Sequence, residues 1–131
     1  MGYEIVLPDT CAWIDYFNGR DTAIARAVVQ ALTTCEIVTC GVVVYELFQG
    51  IRSDKECALV QKAFGSLRHI EMDKELWLSA AQLSATLRKK GITIPASDIQ
   101  IAALALRHQA TILTIDQHFG HVPDLVVKES L

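Results

Sequence analysis

Four acids, Asp9, Glu46, Asp98 and Asp116, stand at positions where carboxylates can do chemistry. Asp9 directly follows the run Glu4-Ile5-Val6-Leu7-Pro8, and Asp116 ends Thr111-Ile112-Leu113-Thr114-Ile115. Both runs read as buried strands, and open parallel α/β sheets bind ligands outside the carboxyl ends of their strands. Asp98 falls in the first turn of a helix that leads into the second of these strands. Glu46 interrupts the apolar stretch Val42-Val43-Val44-Tyr45-Glu46-Leu47-Phe48, where it must be paired or exposed, because a lone buried carboxylate is costly. Singly, Asp98 also suits a helix-dipole partner and Asp116 a turn former. Four together on one rim need a further explanation. Two unit charges about 4 Å apart repel by about 4 kcal/mol at an effective dielectric near 20. Such a cluster therefore keeps protons or gathers around a divalent cation. All-oxygen ligands with no His or Cys nearby favour Mg2+ or Mn2+ over Zn2+. An ion held this way can deprotonate a water and stabilise the leaving oxygen of a phosphodiester.

The elements that must position these acids are legible in the apolar spacing. Residues 4–7 form a strand, as do Ile37-Val38, residues 111–115 and Leu125-Val126-Val127. Ile24, Val28, Val29 and Leu32 recur at helical spacing, and helical signal resumes over residues 42–48 to stop at Gly50, an expected left-handed terminator. Ser53 with Glu56 makes a capping box ahead of a face formed by Cys57, Val60, Phe64 and Leu67. Asp73 caps a helix whose apolar face reads Trp77, Ala80, Ala81, Ser84 and Leu87, and Arg88-Lys89-Lys90-Gly91 ends it. Pro95 and Ser97 open the helix over residues 98–108. Strands that are apolar runs, separated by helices, indicate a parallel sheet covered on both faces. The expected fold is a single three-layer α/β/α domain over residues 1–131, with a central parallel sheet of four or five strands.

Composition narrows the function classes. The 131 residues fit one domain, and a content of 51% hydrophobic and 21% charged residues rules out disorder. The net charge of −3 gives no polycationic surface, so nucleic acid would have to be met through a local site. Arg20, Arg26, Arg52, Lys55, Lys62, Arg88, Lys89 and Lys90 are the candidate phosphate contacts. No apolar run reaches the roughly 18 residues of a membrane span. The start Met1-Gly2-Tyr3-Glu4 lacks a basic leader, and Val6 spoils a myristoylation signal at Gly2, so a cytoplasmic protein is expected. Cys11, Cys35, Cys40 and Cys57 contain no C-x-x-C pair and suit reduced core thiols. A zinc site built from Asp116, His118 and His121 is disfavoured, because both histidines follow a strand end in a turn-like stretch. No P-loop, dinucleotide fingerprint or Gly-x-Ser-x-Gly elbow is present.

Four segments carry a resemblance. Ile5-Val6-Leu7-Pro8-Asp9-Thr10-Cys11-Ala12-Trp13-Ile14 resembles the opening motif of PIN-domain nucleases, an acid followed by a small hydroxyl residue and an apolar-aromatic helix start. Val43-Val44-Tyr45-Glu46-Leu47-Phe48-Gln49-Gly50-Ile51 is similar to their second motif. Residues 94–105, Ile94-Pro95-Ala96-Ser97-Asp98-Ile99-Gln100-Ile101-Ala102-Ala103-Leu104-Ala105, are similar to the third, and Leu113-Thr114-Ile115-Asp116-Gln117-His118-Phe119 to the fourth. The four occur in order across the whole chain, whose length is that of the VapC-type toxins of toxin–antitoxin pairs.

The resemblance implies a metal-dependent ribonuclease with Asp9, Glu46, Asp98 and Asp116 as its catalytic acids. Asp9, Asp98 and Asp116 would hold Mg2+, with Mn2+ as a substitute, and Glu46 would orient the attacking water or a second ion. Thr114 and Thr10 match small hydroxyl positions that support the site. The resemblance further implies tRNA, ribosomal RNA or mRNA as substrate, a homodimer, and a cognate antitoxin protein as partner. Two positions depart from the pattern: Gln100, where an apolar residue is usual, and His108-Gln109-Ala110, which replaces a His-Gly-Ala turn. Three rival readings exist. A haloacid-type phosphatase would need an acid two residues after Asp9, where Cys11 stands. A receiver-like signalling domain would need paired acids near the first strand and a Lys where Asp116 stands. A catalytically silent relative would act only by binding its antitoxin, against which the retention of all four acids argues.

Overall fold

The computed structural model describes residues 3–131. The expectations attached to Met1 and Gly2 lie outside the described residues. The chain runs β1 (Ile5–Pro8), α1 (Thr10–Phe17), α2 (Ala23–Thr34), β2 (Glu36–Cys40), α3 (Gly41–Gln49), α4 (Asp54–Phe64), β3 (Arg68–Ile70), α5 (Lys74–Lys89), α6 (Ala96–His108), β4 (Thr111–Leu113), a 3₁₀ turn (Gln117–His121) and β5 (Val127–Lys128). The five strands form one sheet in the order β3-β2-β1-β4-β5, with every pairing parallel. The expected three-layer architecture is therefore present, with five strands.

β1 lies at the centre because its side chains are apolar on both faces. Val6 and Leu7 are fully buried, with Val6 opposite Ile37 on one side and Thr111 on the other. From β1 the chain steps to β2 and β3, then crosses back to β4 and β5. The reversal makes the boundary between β1 and β4 the topological switch point, where a crevice opens at the carboxyl ends. Right-handed crossovers put α1 to α4 on one face of the sheet and α5 with α6 on the other. Trp13 of α1 packs on Phe64 of α4 at a ring-centroid distance of 4.9 Å, which ties the first layer together.

Caps fix the helix starts. Thr22 Oγ1 accepts from the Ala25 amide, Ser53 Oγ from Glu56 and Asp73 Oδ1 from Leu76, the last at 2.8 Å. Gly91 takes φ +80° after α5, the left-handed stop expected there. Gly50 does not: its φ of −88° and ψ of −7° continue the right-handed turn into Ile51, whose amide bonds back to Phe48. Instead Gln109 is left-handed, with φ 54° and ψ 40°, at the end of α6.

Two further expectations are corrected, and one strand has no counterpart among those expected from the sequence. β3 escapes the apolar pattern because it has three residues and two of them, Arg68 and His69, are exposed. Leu67 lies beyond α4, in the turn before β3. The buried stripe of α5 is Leu76, Ala80 and Leu87 with Leu83 half-buried, whereas Trp77 is 50% exposed and Ala81 faces solvent. Both stripes satisfy a 3.6-residue period and share Ala80 and Leu87, so the period could not choose between them. All four cysteines are free, and Cys40 alone is fully buried.

Candidate active site

Asp9 caps α1 from the last position of the central strand's path. Its own amide donates to the Leu113 carbonyl at 2.9 Å, extending the β1–β4 ladder by one bond. That bond holds its side chain over the switch point. Oδ1 accepts from the Thr10 amide at 2.8 Å and Oδ2 from Thr114 Oγ1 at 3.0 Å. Thr114 is itself buried, and its Oγ1 also accepts from the Asp116 amide at 3.0 Å. One hydroxyl thus couples the acid after β1 to the acid after β4.

Glu46 projects from α3 into the same region. Its Oε1 accepts from Thr10 Oγ1 at 2.9 Å, which answers the question of how a half-buried acid survives in an apolar helix. Asp98, in the first turn of α6, is only 8% exposed. Its Oδ2 lies 2.9 Å from His118 Nδ1, and the same nitrogen is 3.1 Å from Asp116 Oδ1. Asp98, Asp116 and His118 present ligand atoms all within 4.8 Å of one another. Asp9 is outside that tight group but electrostatically part of it.

Burial pushes the Asp9 carboxyl above its ordinary value, more than its two hydrogen bonds pull it down, and the charges of Asp98 and Glu46 add to the rise. Burial likewise raises Asp98 against the pull of His118, with Asp116 adding repulsion. His118 is raised in turn, first by its hydrogen bond to Asp98. Desolvation leads both carboxyl rises, and repulsion from the neighbouring acids adds a smaller part. The donor set fits a divalent ion: Asp9, Asp98 and Asp116 supply hard oxygen ligands, and an added positive charge would relieve the strain that raises two of them.

All four sequence-predicted acids, with Thr10 and Thr114, meet at this rim. Two groups the sequence did not assign to it are also here. His118 touches Asp98 and Asp116, so the premise of a site with no His nearby is corrected, while His121 stays outside the cluster. Cys11 Sγ lies 3.4 Å from Thr114 Oγ1 and 3.9 Å from Asp9 Oδ2, so this thiol is a neighbour of the site and not simply core filling. Its position two residues after Asp9 was the available signal for Cys11, and its position two after Asp116 for His118. Gln100, the departure from the third motif, is half-buried and lines a cleft with Tyr45, Glu46 and Trp77. Of the candidate phosphate contacts, Arg20 pairs with Asp15 and Arg26 with Asp21; the other six have no ion-pair partner among the described residues.

The family model described as PIN domain matches residues 6–125 of the chain. Ribonuclease VapC11 from Mycobacterium tuberculosis and VapC ribonuclease Mb1587 from Mycobacterium bovis are each 29% identical to it over 119 residues, covering 88% of this chain and 89% of their own. VapBC2 from Rickettsia felis, solved with a DNA fragment from the promoter, superposes with a TM-score of 0.80 at 19% identity, over 95% of this chain and 97% of that one. VapBC-1 from nontypeable Haemophilus influenzae does so with a TM-score of 0.77 at 23% identity, over 95% and 96%. The structural likenesses establish a common fold.

Proposed function

From the premise that the chain belongs to the PIN-domain family, we propose that it is a Mg2+-dependent endoribonuclease, the toxin of a toxin–antitoxin pair. The observation that carries this reading is the meeting of Asp9, Glu46, Asp98 and Asp116 at the carboxyl ends of β1 and β4. Two relatives of similar length carry the name VapC ribonuclease, which supports RNA as the substrate class.

In this reading Asp9, Asp98 and Asp116 hold Mg2+, with Mn2+ as a substitute. When bound, the ion acidifies a water and neutralises charge on the scissile phosphodiester. Thr114 fixes the rotamer of Asp9 and the backbone of Asp116 at once, so two ligands keep their spacing before the ion arrives. Thr10 aims Glu46 with one hydrogen bond. Glu46 orients the attacking water and takes its proton, because it is the one acid of the four not committed to holding the ion. Arg52, Lys55, Lys62, Arg88, Lys89 and Lys90, without ion-pair partners among the described residues, are candidates to meet phosphates.

The partners are a second copy of the chain and a cognate antitoxin, in the cytoplasm. No helix among the described residues is long and apolar enough to cross a membrane. Tyr45, Trp77 and Leu78 are exposed at 69%, 50% and 58%, the kind of apolar surface that association covers. A narrow groove lined by Ile14, Phe17, Leu47, Ile51 and Val60 runs beside Glu46 and suits the apolar helix or extended tail of an antitoxin. Solved VapBC complexes among the structural neighbours support that pairing.

The test is incubation of the purified, partner-free protein with total cellular RNA, with Mg2+ and with chelator. New RNA ends that appear only with Mg2+ support the reading, and sequencing them names the target. Intact RNA in both arms, or equal cutting in both, overturns it.

A further inference from the structure

The 3₁₀ turn after β4 is short, yet its ring-bearing residue is held in place. The Asp116 carboxylate accepts from the His118 amide at 2.9 Å, and the Asp116 amide is held by Thr114. Phe119, next in sequence, is fully buried and anchors the turn from below. Between these two attachments the imidazole of His118 lies over the acids, with Nδ1 2.9 Å from Asp98 Oδ2 and 3.1 Å from Asp116 Oδ1.

The geometry points to His118 as a nitrogen ligand that shares the divalent ion with Asp98 and Asp116, an assignment that rests on the metal-site reading above. An octahedral ion with bonds of about 2.1 Å keeps neighbouring ligand atoms about 3.0 Å apart. The two separations from Nδ1 match that spacing, and the ion would take the place of the proton that the nitrogen now shares with the carboxylates. The backbone tether through Asp116 limits where the ring can go when a cation arrives. A nitrogen ligand changes which metal is preferred. Carboxylate and water suit Mg2+, which keeps its hydration, whereas imidazole adds more to the binding of a transition metal. His118 therefore makes this site more selective for Mn2+ over Mg2+ than the carboxylates of Asp9, Asp98 and Asp116 alone would be.

The probe is Mn2+ added to the full chain after chelator treatment, with wild type, His118→Gln and Asp98→Asn compared. Gln keeps a polar group of similar reach, and circular dichroism checks that each variant folds. Electron spin-echo measurements should find a ¹⁴N coupling at the bound Mn2+ of the wild type, absent in His118→Gln. Removing the nitrogen should weaken Mn2+ binding by about tenfold or more, while Mg2+ binding, followed by calorimetry, changes by less than about threefold. Mn2+ that binds and depends on Asp98 but shows no ¹⁴N coupling overturns the assignment and leaves the metal site standing. So does an equal loss of both metals in His118→Gln, which would make the histidine a structural counter-ion. A wild type that binds neither metal overturns the metal site itself and the assignment with it.

Discussion

Thr114 carries more of the site than its size suggests, because its one hydroxyl serves Asp9 and Asp116 together. Replacing it with Val keeps the volume and strips both bonds, leaving a buried Asp9 oxygen without its partner. Losses of supporting hydrogen bonds at metal sites reach 10–100-fold in affinity or activity, so Thr114→Val should weaken Mg2+ binding within about that range, measured by calorimetry. Asp9 itself opposes the metal-free fold at neutral pH. Its folded pKa lies above the unfolded one, so its contribution favours folding most below the ordinary carboxylate range and is lost as pH rises through the raised value. Asp98 has the same sign. His118, also raised, stabilises below its ordinary value and loses that contribution as pH climbs past the raised one. All three act in one direction. His118 places its share of this loss above its ordinary value of 6.5. The fall in metal-free melting temperature between about pH 6.5 and about pH 8 should therefore be smaller in His118→Gln than in wild type, and Mg2+ should restore more stability at the higher pH. Asp9→Asn should raise the metal-free melting temperature at about pH 8; a lower one would mean that the carboxylate is compensated by something not identified at this rim. The acids were legible in the sequence because Asp9 ends an apolar run and Asp116 follows one. His118 was not, since its approach to Asp98, twenty residues away in sequence, depends on how the 3₁₀ turn folds back.

At the scale of elements, long periodic segments could be read and short or evenly apolar ones could not. β1 and β4 are continuous apolar runs, which only a strand buried on both faces requires. β3 offers one buried residue, Ile70, and pairs with β2 because the crossover delivers it there. α5 carries apolar residues around much of its circumference, so the core-facing side was settled by packing on α6 and not by period. The end of α6 shows a local conflict. Gln109 adopts a left-handed conformation that costs a non-glycine residue on the order of 1 kcal/mol. Gln109→Gly should therefore stabilise the protein by about 0.5–1 kcal/mol, a rise of roughly 2–4 °C in thermal unfolding, with RNA cleavage unchanged. An unchanged or lowered melting temperature would show that the Gln side chain makes up for the strain.

For the whole molecule, the sheet order brings together acids that are far apart in sequence and leaves large apolar residues exposed beside them. Tyr45 and Trp77 flank the cleft beside Glu46, so association through them would bring a second copy close to the site. Light scattering should find a dimer at micromolar concentration, and Trp77→Glu should shift it toward monomer without unfolding, since that side chain is half exposed. A wild-type monomer would remove the second copy from the account. We propose above all that Asp9, Asp98 and Asp116 together hold the ion through which this chain cuts RNA. The most direct test of this is the cleavage rate of wild type and of the Asp9→Asn, Asp98→Asn and Asp116→Asn variants across a series of Mg2+ concentrations. Each folded variant should lose well over about 100-fold at any Mg2+ level, exceeding losses from supporting residues. A variant cutting at close to the wild-type rate, or a wild type equally active in chelator, would contradict it.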